Sequence, residues 1–281
     1  MLVYTHKELL LQALFSKKEN KMTGFVPTMG ALHKGHISLV ERALAENDRV
    51  VVSIFVNPTQ FNNSGDLKKY PRTLESDLAL LQALEGEILI YAPDVEDLYE
   101  NTVAAKNYNF NGLENEMEGK HRSGHFDGVG TILSIFFELI KPDLAYFGEK
   151  DFQQLQIVKK LVELEAIPVK IMGCPIVRES NGLAMSSRNK RLSEIQLKEA
   201  SLIYKTLLEV KDRFNTHSIP QLNELVAERF LKNPHLKLEY FEIANEQTLK
   251  TATDKSENAQ YRAFLAVFAG DVRLIDNMPL N

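Results

Sequence analysis

The chain has 281 residues but only one cysteine, Cys174. A single thiol cannot form an intrachain disulfide, so the fold does not depend on an oxidising compartment. Cys174 lies in the apolar stretch Ile-Met-Gly-Cys-Pro, without the spacing of a metal site. We therefore predict a buried, unreactive core thiol rather than a nucleophile.

Long apolar runs and an excess of basic residues are also missing. No run approaches the ~18 apolar residues of a membrane span, and the first residues lack the cleavage site of a signal peptide. We therefore expect no membrane partner and a cytoplasmic location. The net charge is −5 and the isoelectric point is about 5.9, so we expect no nucleic-acid partner. A local cationic pocket is compatible with these totals.

Short apolar runs alternate with helical patterns through the first two-thirds of the chain. The runs show little polar alternation, which is typical of parallel strands covered by helices on both faces. Such strand–helix repetition predicts an α/β fold, in which ligands bind beyond the carboxyl ends of the strands. The predicted strands lie at 24–28, 49–56, 87–92, 143–147 and 169–173, and the predicted helices at 38–46, 74–84, 131–140 and 152–165.

The pattern changes after residue 175. Two amphipathic helices are predicted at 193–214 and 219–231, and strands at 237–243, 263–268 and 272–275 follow without long helices between them. We therefore predict two domains. Residues 1–175 form a Rossmann-like, doubly wound parallel sheet, and residues 176–281 form a smaller α+β C-terminal domain.

The strongest chemical pattern is Val-Pro-Thr-Met-Gly-Ala-Leu-His-Lys-Gly-His at positions 26–36, which follows a strand and opens a helix. Free backbone N–H groups at such a turn, with the helix dipole, are expected to bind an anion. His33 and His36 fall on one face of the first turn and can donate to phosphate oxygens. Helix-capping or surface histidines are one alternative. A zinc site is another, but no third ligand is evident nearby.

Several segments carry a resemblance to a known family. His33-Lys34-Gly35-His36 resembles the HxGH signature of the nucleotidyltransferase superfamily, and the longer string at 27–36 resembles the pantothenate synthetase (pantoate–β-alanine ligase) family. Further segments resemble this family in its own order over nearly the whole chain. They are Phe-Val-Asn-Pro-Thr-Gln-Phe at 55–61, Tyr-Pro-Arg-Thr at 70–73, Phe-Gly-Glu-Lys-Asp at 147–151, Gln-Gln at 153–154, Met-Ser-Ser-Arg-Asn at 185–189 and Arg-Leu-Ile-Asp-Asn at 273–277.

The resemblance implies an ATP-dependent condensation of pantoate with β-alanine. Pantoate attacks the α-phosphate of ATP in the presence of Mg²⁺, giving pantoyl adenylate and pyrophosphate, and β-alanine then displaces AMP to give pantothenate. It also implies a homodimer formed through the larger domain. We expect the smaller domain to act as a lid over the ATP- and pantoate-binding domain.

The resemblance also implies roles for individual residues, and no protein group is assigned to hold a metal. The implied catalytic residues are His33, His36, Lys150 and Arg188. The implied ATP contacts are Met29, Gly30, Ala31, Leu32, His33, Lys34, Gly35, His36, Gly148, Glu149, Lys150, Asp151, Val177, Met185, Ser186, Ser187 and Arg188. The implied substrate contacts are Pro27, Met29, Asn57, Gln60, Arg122, His125 and Gln154.

Each assignment has a plainer alternative. Asp151 can be an ordinary helix cap, the Ser-Ser-Arg segment a polar turn, the two glutamines polar surface, and the segment at 121–126 a solvated loop. At the level of the whole chain, one alternative is another HxGH nucleotidyltransferase that makes a stable nucleotide-linked product. A second alternative is a nucleotide-binding module without catalysis.

Overall fold

The structure is a computed structural model that describes residues 2–15, 21–62, 64–99 and 102–281. Contacts divide the chain into two compact units. The sheet unit comprises Met1–Phe110, Arg122–Glu149 and Gln154–Pro175. The C-terminal unit comprises Asn111–His121, Lys150–Gln153 and Ile176–Asn281. Two short segments from the first two-thirds of the chain therefore belong with the C-terminal residues.

Strands are separated by one or more helices up to residue 174. The strands are β1 (Leu2–Tyr4), β2 (Thr23–Thr28), β3 (Arg49–Ile54), β4 (Ile88–Tyr91), β5 (Leu144–Gly148), β6 (Lys170–Cys174), β7 (Lys237–Asn245), β8 (Tyr261–Ala269) and β9 (Val272–Pro279). The helices are α1 (Lys7–Phe15), α2 (Lys34–Glu46), α3 (Ser64–Lys69), α4 (Leu74–Gln82), α5 (Val95–Tyr99), α6 (Met117–His121), α7 (His125–Ile140), α8 (Phe152–Leu164), α9 (Glu194–Glu199), α10 (Ser201–Arg213) and α11 (Ile219–Leu231).

Six parallel strands form the sheet unit in the order β1-β4-β3-β2-β5-β6. From the central strand β2 the chain adds β3 and β4 on one side, then crosses back and adds β5 and β6 on the other. The predicted doubly wound α/β class is confirmed. In such sheets, ligands bind beyond the carboxyl ends of the strands where the direction of winding reverses. The segments that follow β2, β3 and β5 are therefore the ones to inspect for a site.

Strand β2 is covered on both faces, as its apolar sequence predicts. On one face, Val26 belongs to a buried cluster with Leu39 and Val40 of α2. On the other, Phe25 makes edge-to-face contacts with Phe136 and Phe137 of α7, at centroid distances of 5.6 and 6.2 Å. This packing fixes the strand, and with it the start of the turn that follows.

Cys174 ends β6 and is 3% exposed, which confirms the predicted core thiol. Burial raises the pKa of this thiol, and the neighbouring Arg42 opposes the shift, with Nη1 3.4 Å from Sγ. A thiol that stays protonated is a poor nucleophile.

The C-terminal unit has an antiparallel sheet in the order β7-β8-β9. Its core includes Leu207 of α10 and Val226 of α11, which cluster with Leu265 and Val267 of β8. The continuous helix predicted at 193–214 is wrong: it is divided into α9 and α10 at Ala200. The N–H of this buried residue donates to the carbonyls of Gln196 and Lys198, which ends α9.

The segment 111–121 is tied to the C-terminal sheet by a half-buried ion cluster. Both Glu118 carboxylate oxygens accept from the Arg273 guanidinium at 2.8 Å, and Tyr240 Oη donates to the same carboxylate at 2.8 Å. Burial raises the pKa of Tyr240 well above its ordinary value, so the phenol stays protonated and donates. Gln153 also holds this segment, because its Nε2 donates to the carbonyl of Glu116 at 2.7 Å.

None of the helices in the described ranges combines the length and the apolar character needed to cross a bilayer.

Candidate active site

The turn that joins β2 to α2 has a constrained backbone. We call residues 29–36 the histidine turn. Gly30 has φ +79° and Ala31 has φ +50°, and a left-handed conformation at a residue other than glycine costs on the order of 1 kcal/mol or more. A side chain at position 30 would meet Asp77 Oδ2 at 3.1 Å and Ile54 Cγ2 at 3.2 Å. Glycine is therefore required here both for its φ and for the close approach.

A buried carboxylate from α4 holds this turn in place. Asp77 is 1% exposed. Its Oδ2 accepts from the N–H of Ala31 at 2.9 Å, and its Oδ1 accepts from the N–H of Leu32 at 2.7 Å. Thr73 Oγ1 donates to the same carboxylate at 3.2 Å. Hydrogen bonds to a charged acceptor are about twice as strong as neutral ones, so Asp77 can offset the strain at Ala31.

This arrangement corrects one expectation from the sequence. The N–H groups of the turn were expected to be free for an anion, but those of Ala31 and Leu32 donate to Asp77. The N–H of Gly30 donates to Thr28 Oγ1 at 3.2 Å. An anion at this turn must therefore be bound largely by side chains, and the two histidines are the side chains predicted to bind it.

His33 and His36 form a reciprocal cap at the start of α2. His33 Nδ1 accepts from the N–H of Gly35 at 3.1 Å, and His36 Nδ1 accepts from the N–H of His33 at 3.3 Å. A nitrogen that accepts carries no proton, so each neutral ring has its proton on Nε2. The two rings lie 4.0 Å apart between centroids. Capping and anion binding use different nitrogens, so the capping alternative and the phosphate-binding prediction are compatible.

The segment after β3 places two predicted substrate residues next to the histidine turn. Gln60 Nε2 lies 2.9 Å from Met29 Sδ, and Asn57 Nδ2 donates to Gln60 Oε1 at 3.2 Å. Asn57 is 1% exposed and Gln60 8%. Tyr99 Oη donates to Asn57 Oδ1 at 2.6 Å, and burial raises the pKa of Tyr99, so this donor keeps its proton. Gln60 is therefore a positioned amide and not ordinary polar surface.

Residues at the start of α7 and just before it contact the same segment. His125 Nδ1 lies 2.8 Å from the carbonyl oxygen of Gln60 and must donate to it, so its neutral ring accepts at Nε2. His125 is 6% exposed and does not lie in a solvated loop. Arg122 Nη2 lies 3.5 Å from the same carbonyl. A Cβ at Gly128 would overlap the Thr59 carbonyl oxygen, so glycine allows the two backbones to touch.

The segment after β5 carries the predicted lysine. We call Lys150–Gln153 the lysine turn. Strand β5 ends at Gly148, a 3₁₀ turn covers Glu149–Asp151, and α8 follows. Lys150 Nζ lies 3.7 Å from the Asp151 carboxylate, which is about half exposed, so this ion pair contributes little. The carbonyl oxygen of Lys150 accepts from Asn277 Nδ2 at 2.9 Å.

The Ser-Ser-Arg segment follows a tight hairpin in the C-terminal unit. The N–H of Met185 donates to the carbonyl of Val177 at 3.0 Å. Ser186 Oγ caps the following 3₁₀ turn by accepting from the N–H of Arg188 at 3.2 Å. Arg178 anchors the hairpin through two parallel hydrogen bonds to Asp276, at 2.6 and 3.0 Å. The polar-turn alternative thus describes the local structure of Ser186 correctly.

The structure distributes the predicted site residues between the two units. The sheet unit carries Pro27, Met29, Gly30, Ala31, Leu32, His33, Lys34, Gly35, His36, Asn57, Gln60, Arg122, His125, Gly148, Glu149 and Gln154. The C-terminal unit carries Lys150, Asp151, Val177, Met185, Ser186, Ser187 and Arg188. Hydrogen bonds bring Met29, Asn57, Gln60, Arg122 and His125 together. Gln154 lies half-buried on α8, and Pro27 lies half-buried on β2.

Sequence reasoning missed the residues that position this machinery, namely Asp77, Tyr99, Gly128, Gln153, Arg178, Asp276 and Asn277. Most of them act on backbone groups far along the chain, as Asp77 does on Leu32 across 45 positions. A helical aspartate such as Asp77 has the same sequence signature as a surface residue, so only its burial reveals its role.

Comparison with known proteins shows which family this chain belongs to. The model of the pantoate–β-alanine ligase family matches residues 2–279. A pantothenate synthetase of Flavobacterium psychrophilum is 56% identical, with the match covering 94% of this chain and 93% of that protein.

Two solved structures are also similar. The pantothenate synthetase of Thermus thermophilus is 40% identical, with a TM-score of 0.91 and coverage of 100% of this chain and 99% of that chain. The pantoate–β-alanine ligase of Francisella tularensis, complexed with beta-gamma ATP and β-alanine, is 36% identical, with a TM-score of 0.82 and coverage of 100% and 98%. The chain therefore belongs to the pantoate–β-alanine ligase family.

Proposed function

We propose that this chain condenses pantoate with β-alanine at the expense of ATP, through pantoyl adenylate. As a member of its family it is an AMP-forming pantoate–β-alanine ligase. A pantoate carboxylate oxygen attacks the α-phosphorus of ATP, and pyrophosphate leaves. The amine of β-alanine then attacks the activated carbonyl, AMP leaves, and the nitrogen loses a proton to give pantothenate.

The geometry of His33 and His36 carries this proposal. Their Nδ1 atoms accept backbone N–H groups, so both neutral rings carry the remaining proton on Nε2. Two such donors, fixed at the start of α2, stabilise negative charge that grows on phosphate oxygens in the transition state. The same tautomer makes His36 a proton donor at Nε2, because a base there would need the proton moved to Nδ1 and the cap broken.

The remaining roles follow from chemistry and from the relatives. Lys150 and Arg188 neutralise phosphate charge, and Ser186 and Ser187 lie in the second ATP-binding segment. Gln60, with Asn57 behind it, presents an amide suited to the hydroxyl and carboxylate groups of pantoate. Support for ATP and β-alanine comes from the Francisella tularensis relative, which was solved with beta-gamma ATP and β-alanine.

We propose that the nucleotide substrate is MgATP. Within the described part of the chain, no group of three or more His, Cys, Asp or Glu side chains is placed to hold a metal ion. Mg²⁺ commonly binds through substrate phosphates and water, so we propose that it would enter bound to ATP and would supply charge neutralisation at the phosphates.

The decisive measurement is mass spectrometry of the products. With ATP, Mg²⁺ and pantoate, we expect pyrophosphate and enzyme-bound pantoyl adenylate, and pantothenate with free AMP only after β-alanine is added. A stable nucleotide-linked product that ignores β-alanine would instead identify another nucleotidyltransferase. Absence of both AMP and pantothenate with all substrates present would refute the proposal.

Variants of His33 and His36 test whether these side chains stabilise the phosphate charge. His33→Ala and His36→Ala should each slow pyrophosphate formation by about 10²–10³-fold, the usual cost of one such donor. His235→Ala, at an exposed histidine of the C-terminal unit, is the matched control and should have no effect. ATP binding that ignores both histidine variants would favour a binding module.

We also propose a homodimer and a cytoplasmic location, as the family resemblance implies, with the C-terminal unit as a lid that keeps water from the adenylate. Sedimentation equilibrium of the purified chain should give twice the monomer mass, and a concentration-independent monomer would refute the dimer.

A further inference from the structure

Within the described ranges, the Lys150 cation is attracted by two carboxylates, Asp151 and the buried Asp276, but it makes no ion pair shorter than 3.7 Å with either. Lys150 Nζ is 3.7 Å from the half-exposed Asp151 carboxylate, and the lysine stem has four rotatable bonds. Its place is therefore set mainly by the backbone of the turn. What holds this backbone should then decide how well Lys150 serves its proposed substrate.

Asn277 holds that backbone directly. It is 2% exposed. Its Nδ2 donates to the carbonyl oxygen of Lys150 at 2.9 Å, and its Oδ1 accepts from Arg262 Nη1 at 2.6 Å. A buried amide with its donor and its acceptor both engaged has one orientation.

Arg262 reinforces the grip from the neighbouring strand β8. Its guanidinium lies 3.9 Å from the centroid of the Phe152 ring, two residues after Lys150. Its Nε donates to Glu246 at 2.8 Å, which fixes the guanidinium plane. The turn is thus held at the carbonyl of Lys150 and at the ring of Phe152.

The residue before Asn277 holds the other cationic segment. Asp276 binds Arg178, the anchor of the hairpin that leads to Ser186 and Arg188. Asp276 Oδ1 also accepts from the N–H of Asn277 at 2.8 Å. Two adjacent residues of β9 therefore fix the positions of both segments that carry proposed phosphate ligands.

We propose that Asn277 is a positioning residue for adenylate formation, acting through Lys150. This inference rests on the proposed function, in which Lys150 binds the phosphates of ATP. Displacement of a catalytic group by about 1 Å can cost up to 10²-fold in rate. Asn277→Ala should therefore lower kcat/KM for ATP by about tenfold while the chain stays folded.

A double-mutant cycle separates positioning from a general structural role. The rate of pyrophosphate formation is measured in single turnovers for the wild type, Asn277→Ala, Lys150→Ala and the double variant. If Asn277 acts through Lys150, its replacement changes the rate less than about twofold once Lys150 is gone. If Asn277→Ala slows the reaction by the same factor with Lys150 present and with Lys150→Ala, the inference is overturned and the proposed function stands. A Lys150→Ala variant as fast as the wild type would overturn both the inference and the role given to Lys150.

Two further variants complete the design. Asn281→Ala is the matched control, since Asn281 Nδ2 also donates to a backbone carbonyl, that of Ala259 at 2.8 Å, but away from the lysine turn. It should leave kcat/KM for ATP unchanged, and a tenfold loss there would count against the inference. If Asn277→Ala does not fold, Arg262→Gln takes its place in the cycle with the same two outcomes, because it removes the partner of Asn277 Oδ1 and the cover of Phe152.

Discussion

The histidine turn and the lysine turn are positioned by opposite chemistry. In the first, a buried carboxylate accepts from two backbone N–H groups, and in the second a buried amide donates to a backbone carbonyl. Asp77 uses its charge to hold strained backbone at Ala31. Asn277 is neutral, and it depends on Arg262 for its own orientation.

This difference follows from which backbone groups each turn leaves unpaired. Ala31 and Leu32 lie just before the His33 cap of α2, so their N–H groups have no helical partners and need an acceptor, whereas the Lys150 carbonyl needs a donor. As a consequence, two N–H groups of the histidine turn donate to a protein carboxylate and are not free to bind a phosphate. Phosphate binding is then left to side chains, and these can be tested one by one.

Among the variants that displace backbone and leave every proposed ligand in place, the largest effect should come from Asp77→Asn. The amide keeps one acceptor but turns an NH₂ group toward the second backbone N–H, so at least one charged hydrogen bond is lost. A loss of about 1.5–3 kcal/mol corresponds to roughly 10–10²-fold in pyrophosphate formation. Asp97→Asn is the matched control, because Asp97 also accepts from a backbone N–H, that of Lys7 at 2.9 Å, away from the turn. Equal rates in the two variants would contradict the positioning role of Asp77.

The second prediction concerns a variant that should displace the segment at 57–60 without moving the histidine turn. Gly128→Ala puts a methyl group into the Thr59 carbonyl oxygen, so the segment must shift and carry Gln60 with it. Steady-state kinetics should show KM for pantoate raised about tenfold, with KM for ATP changed much less. An equal rise in both constants would show that the shift passes through Met29 into the histidine turn.

A smaller effect is expected at the hairpin of the C-terminal unit. Arg178→Lys cannot keep two parallel bonds to Asp276 or lie flat on the Tyr204 ring, 4.1 Å away. KM for ATP should rise roughly threefold to tenfold, as expected for one weakened charged hydrogen bond. Arg191→Lys, at an exposed pair with Asp271, is the control. A change in KM for pantoate alone would contradict the role of the hairpin in ATP binding.

The smallest effect concerns Cys174, which lies outside both turns. Because burial raises the pKa of its thiol above the ordinary value of 9.0, little thiolate exists at neutral pH. Reaction with a thiol reagent should be at least about 10²-fold slower in the native protein than in the unfolded one, and should accelerate only as pH rises past that value. Rapid modification of native protein at about pH 7, with loss of activity, would contradict this.

The fold could be predicted from the sequence to within a few residues at most element boundaries. Strands such as β2 and β3 are nearly continuous apolar runs, and that pattern leaves parallel burial as the natural interpretation. The division of the helix at Ala200 was missed because alanine favours helix continuation. The roles of residues 1–175 as the ATP- and pantoate-binding domain and of 176–281 as a lid stay predictions.

The candidate site was predictable only where chemistry is carried by a continuous string. The string at 27–36 predicts the phosphate-binding role of the histidines. Nothing in it indicates that two of its backbone N–H groups donate to Asp77. Similarly, the string at 273–277 resembles the family but does not indicate what its residues do. The structure shows that Asp276 binds Arg178 and that Asn277 binds the carbonyl of Lys150. Positioning contacts join residues far apart in the chain, and no local pattern records them.

The half-buried cluster of Glu118 and Arg273 has a consequence for how the gene can be divided. The arginine is encoded near the end of the chain and pairs with two carboxylates, Glu239 of β7 and Glu118, which lies more than a hundred residues upstream. A fragment that starts at residue 176 would keep Glu239 but lose both hydrogen bonds from the Arg273 guanidinium to Glu118 and the acceptor of Tyr240 Oη. Each lost hydrogen bond to a charged group costs about 1.5–3 kcal/mol. The C-terminal unit therefore draws on residues from well upstream, and exchange of its gene segment between relatives should lower stability unless the upstream segment moves with it.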